Sequence, residues 1–142
     1  MEASHNIMAA HAAARLARMR AYAPYSKFQV GAVVVDSLGE IFSGCNVENA
    51  SYGGTVCAER VALLKAVSEG RSGFTDVVVV TDATEPATPC ALCLQTMAEF
   101  LSEDANIWIG DLSGIYSRKT LRELLPFPFG PHQLASAKIP AK

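Results

Sequence analysis

The sequence predicts a three-layer α/β/α domain on a mixed sheet of about five strands. Three observations carry the prediction. The chain opens with an Ala-, Leu- and Met-rich stretch at helical spacing. Two strand-like runs then flank a polar turn, as in a hairpin. Beyond them, helix-like and strand-like stretches alternate, and Asp76-Val77-Val78-Val79-Val80 is apolar almost throughout, as a central strand covered on both faces is.

Residues 6–20 read as a helix, with Ile7, Ala10, Ala14 and Ala17 at helical spacing. Ala23-Pro24-Tyr25-Ser26 breaks it. Phe28 to Val35, rich in β-branched Val, reads as a strand. Asp36-Ser37-Leu38-Gly39 is a turn and Glu40 to Cys45 the returning strand. Asn46 to Thr55 is a polar, Gly-containing loop ahead of a second helix, a frequent position for functional residues. That helix runs from Cys57 to Glu69, with Val61, Leu64 and Val67 (and Leu63) as its apolar stripe and Gly70 at its end. Phe74 to Thr81 is a strand, Asp82 to Pro89 a loop, and Ala91 to Leu101 a third helix with Leu94, Met97, Ala98 and Leu101 on its core face. Asn106 to Gly110 and Ile115 to Ser117 are short strands, and 119–125 a short helix. Pro126 to Pro131 is expected to stop regular structure.

The 142 residues fit one domain over 1–134, with 135–142 expected to be a flexible tail. Half the residues are hydrophobic, which points to apolar surface covered in an oligomer. Net charge is −2 and no basic run exceeds two residues, which excludes nucleic acid polymers as partners. Met1-Glu2-Ala3-Ser4-His5 lacks the basic start of a secretion signal, and no apolar run reaches the roughly 20 residues that span a bilayer. Four cysteines in that context read as cytoplasmic thiols or metal ligands rather than disulfides.

Two short stretches carry the chemistry: Cys57-Ala58-Glu59-Arg60 and Pro89-Cys90-Ala91-Leu92-Cys93. Three thiols and a carboxylate suit a zinc ion with three protein ligands and an open position. Cys90 and Cys93, at i and i+3 on a helix, share one face. Both stretches open helices, whose N-termini favour thiolate over thiol. Arg60 is placed to hydrogen-bond a thiolate. Glu59 is either a first-turn helix glutamate or a proton shuttle beside the metal. A C-x-x-C alone also fits a redox pair or half a zinc knuckle, and Cys45 would complete a closed four-thiolate site. The apolar strand ending at Cys45 favours a packed thiol there instead.

Together, Cys57-Ala58-Glu59-Arg60, Pro89-Cys90-x-x-Cys93-x-Gln95 and Asn46-Val47-Glu48-Asn49-Ala50 resemble the small cytidine deaminases. Pro24-Tyr25-Ser26 with Phe28-x-Val30-Gly31-Ala32 is similar to that family's N-terminal signature, and Leu124-Leu125-Pro126 with Phe129-Gly130-Pro131 to its C-terminal one. The resemblance runs from about Ala21 to Leu134. It implies the cytidine deaminase-like fold and one Zn²⁺ per chain, held by Cys57, Cys90 and Cys93. It implies hydrolytic deamination of cytidine and deoxycytidine, with Glu59 moving the protons. By the same resemblance Phe28 packs on the pyrimidine, and Asn46 and Glu48 bond the ribose. Tyr52 lines the pocket, and Ala58 and Pro89 contact the base or leaving group through their backbone. Arg60 and Gln95 support the site. Phe129 reaches a neighbouring subunit's site within a homotetramer. A blasticidin S deaminase and a non-catalytic zinc module are the competing expectations.

The sequence departs from the family pattern in three places. Leu94 replaces an Arg, Ala91-Leu92 replaces Gly-Ala, and Gly54 stands where a larger residue is usual. Gly54 is expected to leave room for modified cytidines.

Overall fold

The structure, a computed structural model, describes residues 4–136. In chain order its elements are α1 (His5–Arg18), β1 (Gly31–Asp36), β2 (Ile41–Cys45), α2 (Ala58–Ser68), β3 (Phe74–Val80), α3 (Ala91–Phe100), β4 (Leu101–Gly110), β5 (Ile115–Thr120), α4 (Leu121–Leu124) and α5 (Pro131–Ala135). The five strands form one mixed sheet in the order β2-β1-β3-β4-β5. Only β3 and β4 run parallel, joined by α3; the other neighbours are antiparallel. The expected three-layer architecture is present.

The pleat divides the core. Val33, Val35, Val78, Val80 and Trp108 point to α1 and pack on Ile7, Ala10 and Ala14. Ala32, Val34, Val77, Val79 and Ile107 point the other way, onto Ala58, Ala62, Leu63, Ala66, Leu94 and Met97 of α2 and α3. Period-2 alternation therefore feeds both faces, which is why β1 is buried at every position.

Helix packing on this sheet is unusually close at two glycines. A Cβ on Gly31 would lie 1.9 Å from the Ala14 carbonyl oxygen of α1, and one on Gly44 would lie 2.6 Å from the Ala62 nitrogen of α2. The alanines on the helices and the glycines on the strands are complementary halves of one contact.

Several boundaries differ from expectation, each for a local reason. β1 starts at Gly31 rather than Phe28, because the Asn46 side chain takes the backbone groups there: its Nδ2 donates to the Phe28 carbonyl at 2.8 Å and its Oδ1 accepts the Val30 N–H at 2.9 Å. On α2 the buried face is Ala58, Glu59, Ala62, Leu63 and Ala66; of the expected stripe, Leu63 is buried and Val67 packs against the core, while Leu64 is 44% exposed. Close approach over Gly44 selects the small residues for the inner face. β4 begins at Leu101 rather than Asn106, with a bulge before Asp76 and Asn106 align. β5 is longer than expected and ends at Thr120, whose hydroxyl caps α4 in a reciprocal capping box with Glu123. Regular structure does not stop at Pro131: that residue starts α5, as Pro at a first helical position does. Residues 137–142 of the expected tail lie outside the described residues.

Gly44→Ala is expected to lower Tm by about 5–10 °C, since overpacking costs about 1–3 kcal/mol. Gly53→Ala, where an added Cβ meets nothing within 4 Å, should leave Tm within about 2 °C. Thermal unfolding of the two variants side by side checks both.

Candidate active site

Cys57 is the N-cap residue of α2 and Cys90 that of α3; neither side chain bonds its own helix's free N–H groups. Both sulfurs therefore stand at the positive ends of helices without being used as caps. Cys93 lies one turn into α3 and is fully buried. The three Sγ atoms lie within 4.8 Å of one another. Cys57 and Cys90 are 3.8 Å apart at sulfur. A tetrahedral ion about 2.3 Å from each sulfur sets its ligands about 3.8 Å apart, so the residues fit zinc. Cys45 does not join them: it pairs with Gly31, on the sheet face that meets α1, while the cluster belongs to α2 and α3. Cys45 thus stands apart from the cluster, in line with the packed-thiol reading and against the four-thiolate alternative.

The electrostatics suit a metal. The Cys57 thiol is pulled down to about 5, first by the hydrogen bond from Cys93 and further by Arg60. Cys93, holding the shared proton in a buried place, is pushed up. Arg60 donates from Nη2 to the Cys57 sulfur at 3.5 Å and to the Thr55 carbonyl at 3.3 Å. Its Nε is buried without a partner.

Beside the thiols lies a cavity of about 230 Å³. Phe28, Asn46, Glu48, Cys57, Ala58, Glu59 and Cys90 line it. Glu59, in the first turn of α2, is only 5% exposed. Burial is the main reason its carboxyl is raised to about 7; its own backbone N–H, Cys93 and Arg60 pull the other way. At that value the group both accepts and gives up a proton near neutrality.

Sequence reasoning missed part of the wall. Val79 and Thr81, at the carboxyl end of β3, and Ala87, Thr88, Thr55 and Ser26 also line the cavity. The position of Val79 and Thr81 follows the general rule that open α/β sheets bind ligands beyond the carboxyl ends of parallel strands. Ser26 stands in the Pro24-Tyr25-Ser26 motif, but nothing in that motif signals its place on the cavity wall.

The remaining residues lie around this cavity. Glu48 accepts the Tyr25 and Ser26 amides on Oε1, at 3.0 Å each, and the Ser26 hydroxyl on Oε2. The Ser26 hydroxyl bond is the leading reason its carboxyl is held below the usual value. Tyr52, 75% exposed, borders an adjoining chamber of about 260 Å³ and meets Tyr25 edge-on, centroids 5.7 Å apart. Pro89 is buried next to Cys90. Gln95 Nε2 donates to the Phe129 carbonyl at 2.7 Å, tying α3 to the C-terminal segment. The Phe129 ring is largely exposed and does not line the cavity of its own chain. Leu94 is buried in the core. Gly54 lines neither chamber, and a Cβ there would touch Asn49 at 3.4 Å, so the expected room for modified cytidines is not made at Gly54.

A three-thiol metal cluster with an unligated carboxylate beside it defines a zinc hydrolase of the deaminase kind. A family model described as the cytidine and deoxycytidylate deaminase zinc-binding region matches residues 4–108. The cytidine deaminase of Halalkalibacterium halodurans is 49% identical over 113 residues, covering 80% of this chain and 86% of that protein. The cytidine deaminase of Sporosarcina psychrophila is 42% identical over 126 residues, or 89% and 93%. The crystal structure of the cytidine deaminase from Burkholderia pseudomallei superposes with a TM-score of 0.83 at 40% identity, over 89% of this chain and 100% of that one. The chain belongs to the cytidine and deoxycytidylate deaminase zinc-binding family.

Purified protein should carry one zinc per chain. Serine at Cys57, Cys90 or Cys93 should lower that at least about tenfold in affinity, while Cys45→Ser should keep it. Atomic absorption after dialysis against a weak chelator reads the difference.

Proposed function

We propose that this protein hydrolyses cytidine and deoxycytidine to uridine and deoxyuridine with release of ammonia. The observation that carries the reading is Glu59: a buried carboxyl, raised to about 7, on the wall of a nucleoside-sized cavity shared with Cys57 and Cys90. Membership in the family supports the substrate class.

The roles follow from placement. Cys57, Cys90 and Cys93 hold the zinc, which when bound supplies a Lewis acid that lowers a water's pKa toward neutrality. Arg60 and the two helix N-termini offset the negative charge of three thiolates. Glu59 takes the proton from the attacking water and delivers it to N3 of the pyrimidine, then to the amine leaving C4. Val79, Phe28 and Ala58 supply an apolar wall for the base, and Asn46 and Glu48 a polar end for the sugar. Burial of Glu59 keeps bulk water from competing for the proton it carries.

The same reading includes a homotetramer with shared sites and a cytoplasmic location. Exposed Tyr52, which borders the adjoining chamber, and exposed Leu92, Phe127 and Phe129 support the first, since apolar side chains open to solvent suit cover by a second copy. Three thiols arranged as metal ligands support the second, because they stay reduced there.

Ultraviolet absorbance of zinc-loaded protein with cytidine should shift to the uridine spectrum. Glu59→Gln should keep its zinc and lose about 10³-fold in kcat. A fully loaded wild type that leaves the spectrum unchanged would sink the reading. Sedimentation at micromolar concentration should give four chain masses; a monomer there would refute the shared-site arrangement.

A further inference from the structure

The segment that carries Phe28 to the cavity has no strand pairing of its own, yet it is held at almost every polar atom. Lys27, in its middle, has φ +60°, a left-handed conformation that a side-chain-bearing residue adopts only when its surroundings require it. What requires it is visible. The Lys27 N–H donates to the Ala23 carbonyl at 3.0 Å, closing one turn. The Ser26 hydroxyl donates to Glu48 Oε2 and, from its other side, accepts the Phe28 N–H at 3.0 Å. Glu48 Oε1 takes the Tyr25 and Ser26 amides. Asn46 then holds Phe28 and Val30 from beyond the turn.

One atom links the two halves of this arrangement. Ser26 Oγ is where the Glu48 carboxylate and the Phe28 backbone meet. Ser26 and Glu48 also line both chambers, so the latch lies on the wall between them.

We propose that Ser26 is a positioning residue for substrate binding: through its hydroxyl it couples Glu48 to the left-handed turn at Lys27 and so sets where Phe28 meets the base. The proposal rests on the nucleoside reading above. It separates binding from chemistry, because the latch touches neither the thiols nor Glu59. Without the hydroxyl, Glu48 loses one donor and the Phe28 amide its acceptor, and the turn relaxes toward ordinary backbone. Both the sugar end and the base wall of the cavity then shift together.

The test is steady-state kinetics on cytidine with Ser26→Ala and Ser26→Thr, with zinc content and Tm measured alongside. Ser26→Ala should raise KM about tenfold, keep kcat within about threefold and retain one zinc, since one lost hydrogen bond to a charged group is worth roughly a factor of ten. Ser26→Thr, which keeps the hydroxyl, should restore KM. Lys27→Pro, which forbids the left-handed turn, should raise KM as Ser26→Ala does. An unchanged KM in Ser26→Ala, whatever its Tm, overturns the proposal, as does a fall in kcat at constant KM. Hydrogen exchange over residues 24–30 should quicken in Ser26→Ala and not in Ser26→Thr. A wild type inert on cytidine would remove the nucleoside reading and the positioning role with it; unaltered exchange would remove the latch alone.

Discussion

The close approach of α2 to the sheet over Gly44 is the constraint on which the site depends. A helix packed that tightly has its N-terminus fixed relative to β3, and Cys57 stands at that N-terminus. α3 arrives beside it with Cys90 in the same cap position. Two helix ends of like partial charge repel each other unless an anionic centre sits between them. The thiol cluster is that centre, and Cys57 is already driven toward thiolate, first by Cys93 and further by Arg60. Packing and charge thus enforce one another: moving either helix outward would weaken the field on the sulfurs, and neutral side chains in their place would leave the two helix ends facing each other.

Glu59 bears the cost of the same arrangement. Its carboxyl is on the inner face of α2, where a glutamate is otherwise out of place among alanines. An exposed glutamate two residues from a cysteine would titrate far below neutrality. Burial against the sheet changes that, and the change follows from the helix position rather than from any group dedicated to it. At the Asn46–Glu48 end of the cavity the logic differs. Asn46 and Glu48 are polar walls of the cavity and, with the same atoms, the fasteners of the Tyr25–Val30 segment. Side chains with both duties tolerate little change, since altering the wall loosens what it faces.

Much of this was legible in the residues. The element order, the hairpin, the buried central strand and the Cys90/Cys93 pair follow from periodicity and spacing, which depend on local geometry, while Cys57 joins that pair through the family resemblance. What failed depended on contacts between distant segments. The inner face of α2 was misread because apolarity favours Val61 and Leu64, whereas fit against Gly44 favours Ala58 and Ala62. The start of β1 was misplaced because Phe28 and Val30 look strand-like, yet Asn46 takes their hydrogen bonds. α5 was missed because a proline-rich run reads as a breaker, although Pro131 occupies the one helical position that suits it. Ser26 is visible within the Pro24-Tyr25-Ser26 motif, but its contact with Glu48 exists only once the two segments fold together.

The sheet also sorts the sulfur atoms. Cys45 faces α1 and the other three cysteines stand on α2 and α3, with the one sheet between the two groups. Metal ligation protects thiols from alkylation, so the number of modifiable cysteines reports on the centre without any assay of turnover. The loaded protein presents one, on the far face, and the stripped protein exposes Cys57 and Cys90 as well, with Cys93 buried behind them. The single thiol left over is therefore an attachment point for a spectroscopic label that the chemistry on the opposite face does not see.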